Sequence, residues 1–266
     1  MKRFTCLTLI ALLLPLSFAS AQSSSTKKTA PTPARSEMDP QAEQLLRGMS
    51  EYLAHLPSLS FIADHSMEVV TKEGQKLNFD AQSQVAVQRP NKMRSDRQSQ
   101  IADLSLYYDG SQISLYGKAS KYYATTKAPA TLDETIDSAR ENLDLEAPAA
   151  DLLYSDPYKV LKEDAVSSMY LGKTHINGVD VHHIAVRGHE TDWQIWIADG
   201  DEPRPVKFSI TSKKVPQAPE YVVELRDWKA SPTFPPTFFT FRPPPGSMKI
   251  EFARATPDTS QSLPKR

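Results

Sequence analysis

Four of the six histidines, His175, His182, His183 and His189, fall close together in the chain. Imidazole is the side chain most often used to ligate metals or move protons near neutral pH, so this stretch is where catalysis would first be sought. His183 and His189 would share a face of an unbroken strand, as two ligands of a metal site would need. Against this, His182 and His183 must point to opposite faces, Gly188 interrupts the strand, and no helical His-x-x-x-His supports a third ligand. The plainer reading is of solvent-facing or cross-strand hydrogen-bonding histidines. His189-Glu190 with Asp192 offers an acid and a base, but at a strand-turn boundary and with no nucleophile beside it. There is no Gly-x-Ser-x-Gly elbow, no His-Glu-x-x-His, no phosphate loop and no Gly-x-Gly-x-x-Gly. The sequence thus predicts no catalytic residue, no metal and no cofactor, and leaves a histidine-based hydrolase as its third reading.

Apolar chemistry is better represented. Phe61, Phe79, Trp193 and Phe208, with Trp196 and Trp228, supply large apolar area at strand spacing. As the lining of a cavity they would bind an acyl chain, each buried methylene contributing about 0.8 kcal/mol. The same residues equally suit an ordinary core. Trp193 and Trp196 stand three apart, on opposite faces of a strand, so at most one of them can line an interior.

The elements that must position these residues can be read from periodicity. Asp39-Pro40 predicts a helix start, with Asp as N-cap and Pro in the first turn. Leu45, Leu46, Met49, Tyr52, Leu53 and Leu56 then form one stripe that ends at Pro57. Period two follows. Phe61, Ala63, Met67 and Val69 pair as a hairpin with Leu77, Phe79, Ala81, Val85 and Val87 through Lys72-Glu73-Gly74-Gln75. Strands are expected at 91–98, 103–108, 111–117 and 121–126, forming an up-and-down meander. Thr131-x-x-Glu134 predicts a capped helix and Asp156-Pro157 a shorter one. Strands resume at 166–174, 179–187, 192–198, 205–212, 220–228 and 248–252. Ten or eleven strands against three helices make a mainly β (α+β) chain, a curved antiparallel sheet with helices across one face. That arrangement allows either a filled core or a cavity between the layers.

The first residues set the address. Lys2 and Arg3 precede an apolar run from Phe4 to Phe18, and Ala19-Ser20-Ala21 is a small-x-small cleavage site. Residues 1–21 therefore read as a signal peptide, and 22–37, rich in Ser, Thr, Ala and Pro, as a disordered leader. A folded domain is expected at 38–252 and a flexible tail at 253–266. Cys6, the one cysteine, lies in the signal segment, so the exported chain would have no thiol, no disulfide and no lipid-acceptor cysteine. The 31 basic and 32 acidic side chains leave a net charge of −1, with no block of either sign. This removes the electrostatic argument for nucleic acid or anionic membrane as partner. No other run approaches membrane-spanning length, so no stable membrane insertion is expected after cleavage.

Several stretches carry a resemblance. Val87-Gln88-Arg89-Pro90-Asn91-Lys92-Met93-Arg94, then Tyr107-Tyr108-Asp109-Gly110 and Leu115-Tyr116-Gly117 with Tyr122-Tyr123, resemble the periplasmic lipoprotein carriers of the LolA/LolB-like superfamily. The block Asp192-Trp193-Gln194-Ile195-Trp196-Ile197-Ala198-Asp199-Gly200 is similar to a family of predicted periplasmic proteins within it, a domain of unknown function. Phe238-Phe239-Thr240-Phe241-Arg242-Pro243-Pro244-Pro245-Gly246 resembles the superfamily's last strand. The resemblance implies an incomplete β-barrel of about eleven strands with an α-helical lid and an interior that shields acyl chains from water. It also implies that the arginine bonding to the lid falls on Arg89, whereas the residues alone allow Arg89 to be only a strand terminus. The function expected is a periplasmic, non-catalytic carrier or chaperone for an apolar ligand, whether acyl chain, lipid or lipoprotein. Its ligand contacts would be Arg89, Phe61, Phe79, Trp193 and Phe208. The alternative is an envelope interaction or sensor domain for a protein or peptide partner.

Overall fold

The computed structural model describes residues 38–143, 145 and 147–252; the signal segment, leader and tail expected at 1–21, 22–37 and 253–266 lie outside the described residues. Helix α1 (Pro40–His55) starts where the Asp-Pro pair predicts. The Asp39 carboxylate accepts from the amides of Gln41 at 2.8 Å and Ala42 at 3.1 Å, satisfying donors that a helix start leaves free. Its other oxygen accepts from the Tyr170 amide at 3.3 Å, so one cap also ties the helix to a strand far along the chain.

The strands are β1 (Ser58–Val70), β2 (Lys76–Gln88), β3 (Lys92–Ser99), β4 (Leu104–Tyr108), β5 (Gln112–Gly117) and β6 (Tyr122–Lys127). After the helices come β7 (Ala165–Ile176), β8 (Val179–Gly188), β9 (Thr191–Ala198), β10 (Pro205–Ser212), β11 (Glu220–Ala230) and β12 (Met248–Ile250). Between the two sets lie α2 (Leu132–Leu143), a single 3₁₀ turn (Ala150–Leu153) and α3 (Pro157–Lys162). All twelve strands join one open, curved sheet in the order β12-β6-β5-β4-β3-β2-β1-β11-β10-β9-β8-β7. Two antiparallel meanders, β1 to β6 and β7 to β11, are thus sewn together along β1 and β11. The hairpin expected through residues 72–75 is present, and Gly74 takes the positive φ of 84° that its turn requires.

Two expectations need correction. The sheet is mixed, because β12 runs parallel to β6. The segment 238–246 is not a strand: the prolines at 235, 236, 243, 244 and 245 cannot donate to a ladder. It folds as turns instead, with the Phe238 amide donating to the Pro235 carbonyl at 2.9 Å. Phe239, only 2% exposed, is buried against Phe234 and Phe238.

One face of the sheet packs under the helices. Leu46, Met49 and Leu53 of α1, with Leu56 just after it, share a core with Ile184, Val186, Trp193, Ile195, Ile197, Phe208 and Ile210. Alternation on β8 to β10 delivers those side chains to a single face, and each large one buried contributes about 2 kcal/mol. The start of α2 is capped as its sequence predicts. The Thr131 hydroxyl donates to the Glu134 carboxylate at 2.9 Å and accepts from the Glu134 amide at 3.3 Å. Leu132 and Ile136 follow into the same core.

Candidate functional site

The two halves of the sheet are covered differently, and the difference is one of side-chain size. Over β8 to β10, large residues of the sheet meet large residues of α1. Over β1 to β3 the sheet offers Ala63, Ala81, Ser83 and Ser95, and the cover above offers Ala147, Pro148, Ala149 and Ala150. Small residues in both layers cannot fill the space between them, so a cavity of about 200 Å³ remains. Phe61, Phe79, Met67 and Trp228 form its apolar walls, and Phe61 lies 4.6 Å from Trp228 between ring centroids. A second cavity of about 390 Å³ lies beside it over β3 to β5, beneath Leu132, Ile136 and Ala139 of α2. The two share Met93, Ser95, Arg97, Ala147 and Ala150, so they form neighbouring compartments of one groove, in the size range of small-molecule sites.

The cover is held by two arginines. Arg89, in the turn between β2 and β3, donates to the carbonyls of Leu153 at 3.0 Å and Tyr154 at 3.1 Å. Leu153 is itself a wall of the smaller cavity. Arg140 of α2 pairs with Asp151 at 2.8 Å, where the carboxylate side chain is 4% exposed, and donates to the Tyr154 hydroxyl at 3.2 Å. That hydroxyl donates in turn to Asp137 at 2.6 Å, and burial together with this bond raises its pKa well above that of a free phenol. Arg89 and Arg140 thus grip the 3₁₀ turn from opposite sides of the sequence.

Of the five residues expected to contact a ligand, Phe61 and Phe79 line the smaller cavity. Arg89 lines neither compartment and acts on the cover. Trp193 and Phe208 line neither compartment: both are buried in the core over β8 to β10, their rings 5.7 Å apart and edge to face. The large side chains of α1 complete that half, which is why aromatic size alone does not mark the cavity. Trp196 does face the opposite way, stacked on His183 at 4.2 Å.

The clustered histidines are dispersed in function. His182 bridges the Tyr170 hydroxyl and Asp199, each at 2.9 Å, His183 meets Gln194 at 2.9 Å, and His175 meets Asp180 at 2.9 Å. His189 contributes its backbone amide to Asp164 at 3.1 Å. Among the described residues no group of three His, Cys, Asp or Glu side chains could hold a metal.

Sequence reasoning passes over four residues of the groove. His65, Ser83, Arg97 and Tyr221 form a polar stripe across its floor, one from each of β1, β2, β3 and β11. His65 Nδ1 lies 3.1 Å from the Tyr221 hydroxyl and its Nε2 lies 3.0 Å from Ser83 Oγ. Burial, with the Arg97 charge nearby, pushes the His65 imidazole down to about 4, and burial pushes the Tyr221 phenol up. A signal is present in the sequence: His65 falls in phase with Phe61, Ala63 and Met67, and Arg97 in phase with Met93, so each is a polar residue at an inward position.

A curved open sheet, covered on one face by helices and retaining an apolar groove between the layers, defines a class of half-barrel folds. The sequence matches, over residues 42–253, the family described as "Predicted periplasmic protein (DUF2092)", and the chain belongs to that family. The periplasm is accordingly its compartment. No curated protein matches the chain significantly. Solved structures of similar shape include an uncharacterised conserved protein from Thermus thermophilus, at 8% identity and TM-score 0.48, over 79% of this chain and 99% of the other. LprF from Mycobacterium bovis is 14% identical at TM-score 0.46, over 75% and 98%. A LolA superfamily protein from Nitrosomonas europaea is 11% identical at TM-score 0.39, over 75% and 97%.

Proposed function

We propose that this chain is a non-catalytic periplasmic carrier that takes the acyl chain of a lipid or lipoprotein into the covered groove. The observation that supports this reading is the mismatch of layers over β1 to β3, where small residues leave an apolar space continuous with the larger one beneath α2. An acyl chain of ten or so methylenes withdrawn from water would contribute about 8 kcal/mol before the cost of ordering it. The cover supports release as well as capture, because its attachment through Arg89 rests on two hydrogen bonds to backbone carbonyls. Phe61, Phe79 and Trp228 serve as the apolar contacts, and Arg89 as the clamp.

The experiment is to purify the processed protein from a bacterial envelope under non-denaturing conditions and to analyse bound material by native and lipid mass spectrometry. Lipid or acylated protein in stoichiometric amount is the expected outcome. A ligand-free protein that takes up no fluorescent acyl probe, yet captures a defined envelope protein, would replace the carrier with an interaction or sensor domain.

A further inference from the structure

The stripe on the floor of the groove is chemically odd for a site that takes only hydrocarbon. Other guanidiniums near the core have named partners: Arg89 has two carbonyls, and Arg140 has Asp151 and Tyr154. Arg97 is different. It borders both compartments; its Nε is buried without a hydrogen-bond partner, as that of Arg89 is, but the rest of its guanidinium has no carbonyl or carboxylate partner among the described residues either. A buried donor left unmade costs about 1–3 kcal/mol, and more when it is charged. A ligand that accepts from the guanidinium would relieve that cost.

The neighbours of Arg97 are ordered to donate in the same direction. The hydroxyl of buried Tyr221 has one acceptor among the described residues, His65 Nδ1. With Tyr221 donating there, the neutral imidazole carries its proton on Nε2 and donates it to Ser83 Oγ. The Ser83 hydroxyl hydrogen is then free to turn elsewhere. Ser83 stands directly opposite Arg97 in the β2–β3 ladder, a position that brings the two side chains together on the groove floor. Ser95 lies on the same face beside them.

We infer that Arg97, with the Ser83 hydroxyl, seats a carboxylate at the head of a single-chain acyl ligand whose hydrocarbon fills the groove. This rests on the carrier reading and deepens it by naming the head group. One unpaired cation neutralises one negative charge, and a guanidinium fork matches a carboxylate with two parallel hydrogen bonds. His65 is neutral at periplasmic pH and adds no second charge, so a phosphate monoester with two charges is the poorer match.

The test compares three probes on the delipidated protein at neutral pH by titration calorimetry: palmitate, hexadecanol and hexadecyl phosphate. Palmitate is expected to bind about tenfold or more tightly than hexadecanol, and R97Q to bring that ratio close to one. Palmitate and hexadecanol bound equally by the unaltered protein would overturn the head-group seat and leave the carrier standing. Binding of none of the three would remove both. Hexadecyl phosphate bound more tightly than palmitate would overturn the carboxylate assignment. A readout free of any variant is the carboxyl carbon resonance of labelled palmitate: beside Arg97 it should titrate at a lower pH bound than free, and a bound value at or above the free one refutes the contact.

Discussion

Arg89 donates from Nη2 to the carbonyl of Tyr154 at 3.1 Å, across 65 positions of the sequence. Its companion bond to Leu153, at 3.0 Å, holds a residue that is part of the cavity wall. The turn between β2 and β3 is therefore a latch on the cover, and its guanidinium reaches two adjacent carbonyls because the fork spaces its donors to match.

Replacing Arg89 with Leu removes both bonds and leaves two carbonyls to find water. We expect a loss of about 2 kcal/mol in urea unfolding and faster amide hydrogen exchange confined to residues 150–154. Acyl probe should also leave the groove faster. Exchange in the 3₁₀ turn at the wild-type rate would reduce Arg89 to a strand terminus.

The Arg140–Asp151 pair is the other attachment, and its carboxylate is far less accessible to water than those of the surface ion pairs. Exchange of Arg140 for Met leaves a buried carboxylate without that charge beside it and should cost about 3 kcal/mol. The double variant R140M/D151M should recover much of the loss, since the buried carboxylate is removed together with the arginine. Equal losses in the single and double variants, measured by chemical denaturation, would show that packing and not charge is at stake there.

Ala63 lies on the floor of the smaller cavity and is 6% exposed. Ala63→Leu should occupy space that an acyl chain needs and weaken probe binding about tenfold, with a change in melting temperature of only a few degrees. A Leu that leaves affinity untouched would place the ligand in the compartment under α2 instead.

Acid should weaken the fold through His65. Its folded pKa, about 4, lies below the unfolded 6.5, chiefly because burial disfavours the cation. Arg97 acts in the same direction, while Asp64 opposes it. The unfolded chain therefore binds the extra proton first. The stability contributed by neutral His65 is complete above pH 6.5, declines as the pH falls toward 4 and levels off below that, a change on the order of 3 kcal/mol at most. His65→Gln should flatten the stability profile across that range, as read by urea midpoints at successive pH values.

Much of the fold is legible along the chain because its signals are local. Asp39-Pro40 and Thr131-x-x-Glu134 carry their own capping chemistry, and the alternation from Phe61 to Val87 needs only neighbouring residues to be recognised. The segment 238–246 is strand-like in its aromatic residues alone, while its prolines forbid a ladder. His65 interrupts an apolar pattern in residue type, although its phase marks it as inward.

Periodicity, caps and turn residues settle which segments become strands and helices and which face each side chain takes, since these depend on backbone geometry over a few residues. They do not settle where the interior is full and where it is empty. Trp193 and Phe61 look alike in sequence, yet one is sealed under α1 and the other borders a cavity, because residues at 147–150 are small and those of α1 are large. That matching of volumes, and the gathering of His65, Ser83, Arg97 and Tyr221 from four strands, exist only once distant segments are brought to opposite sides of one space.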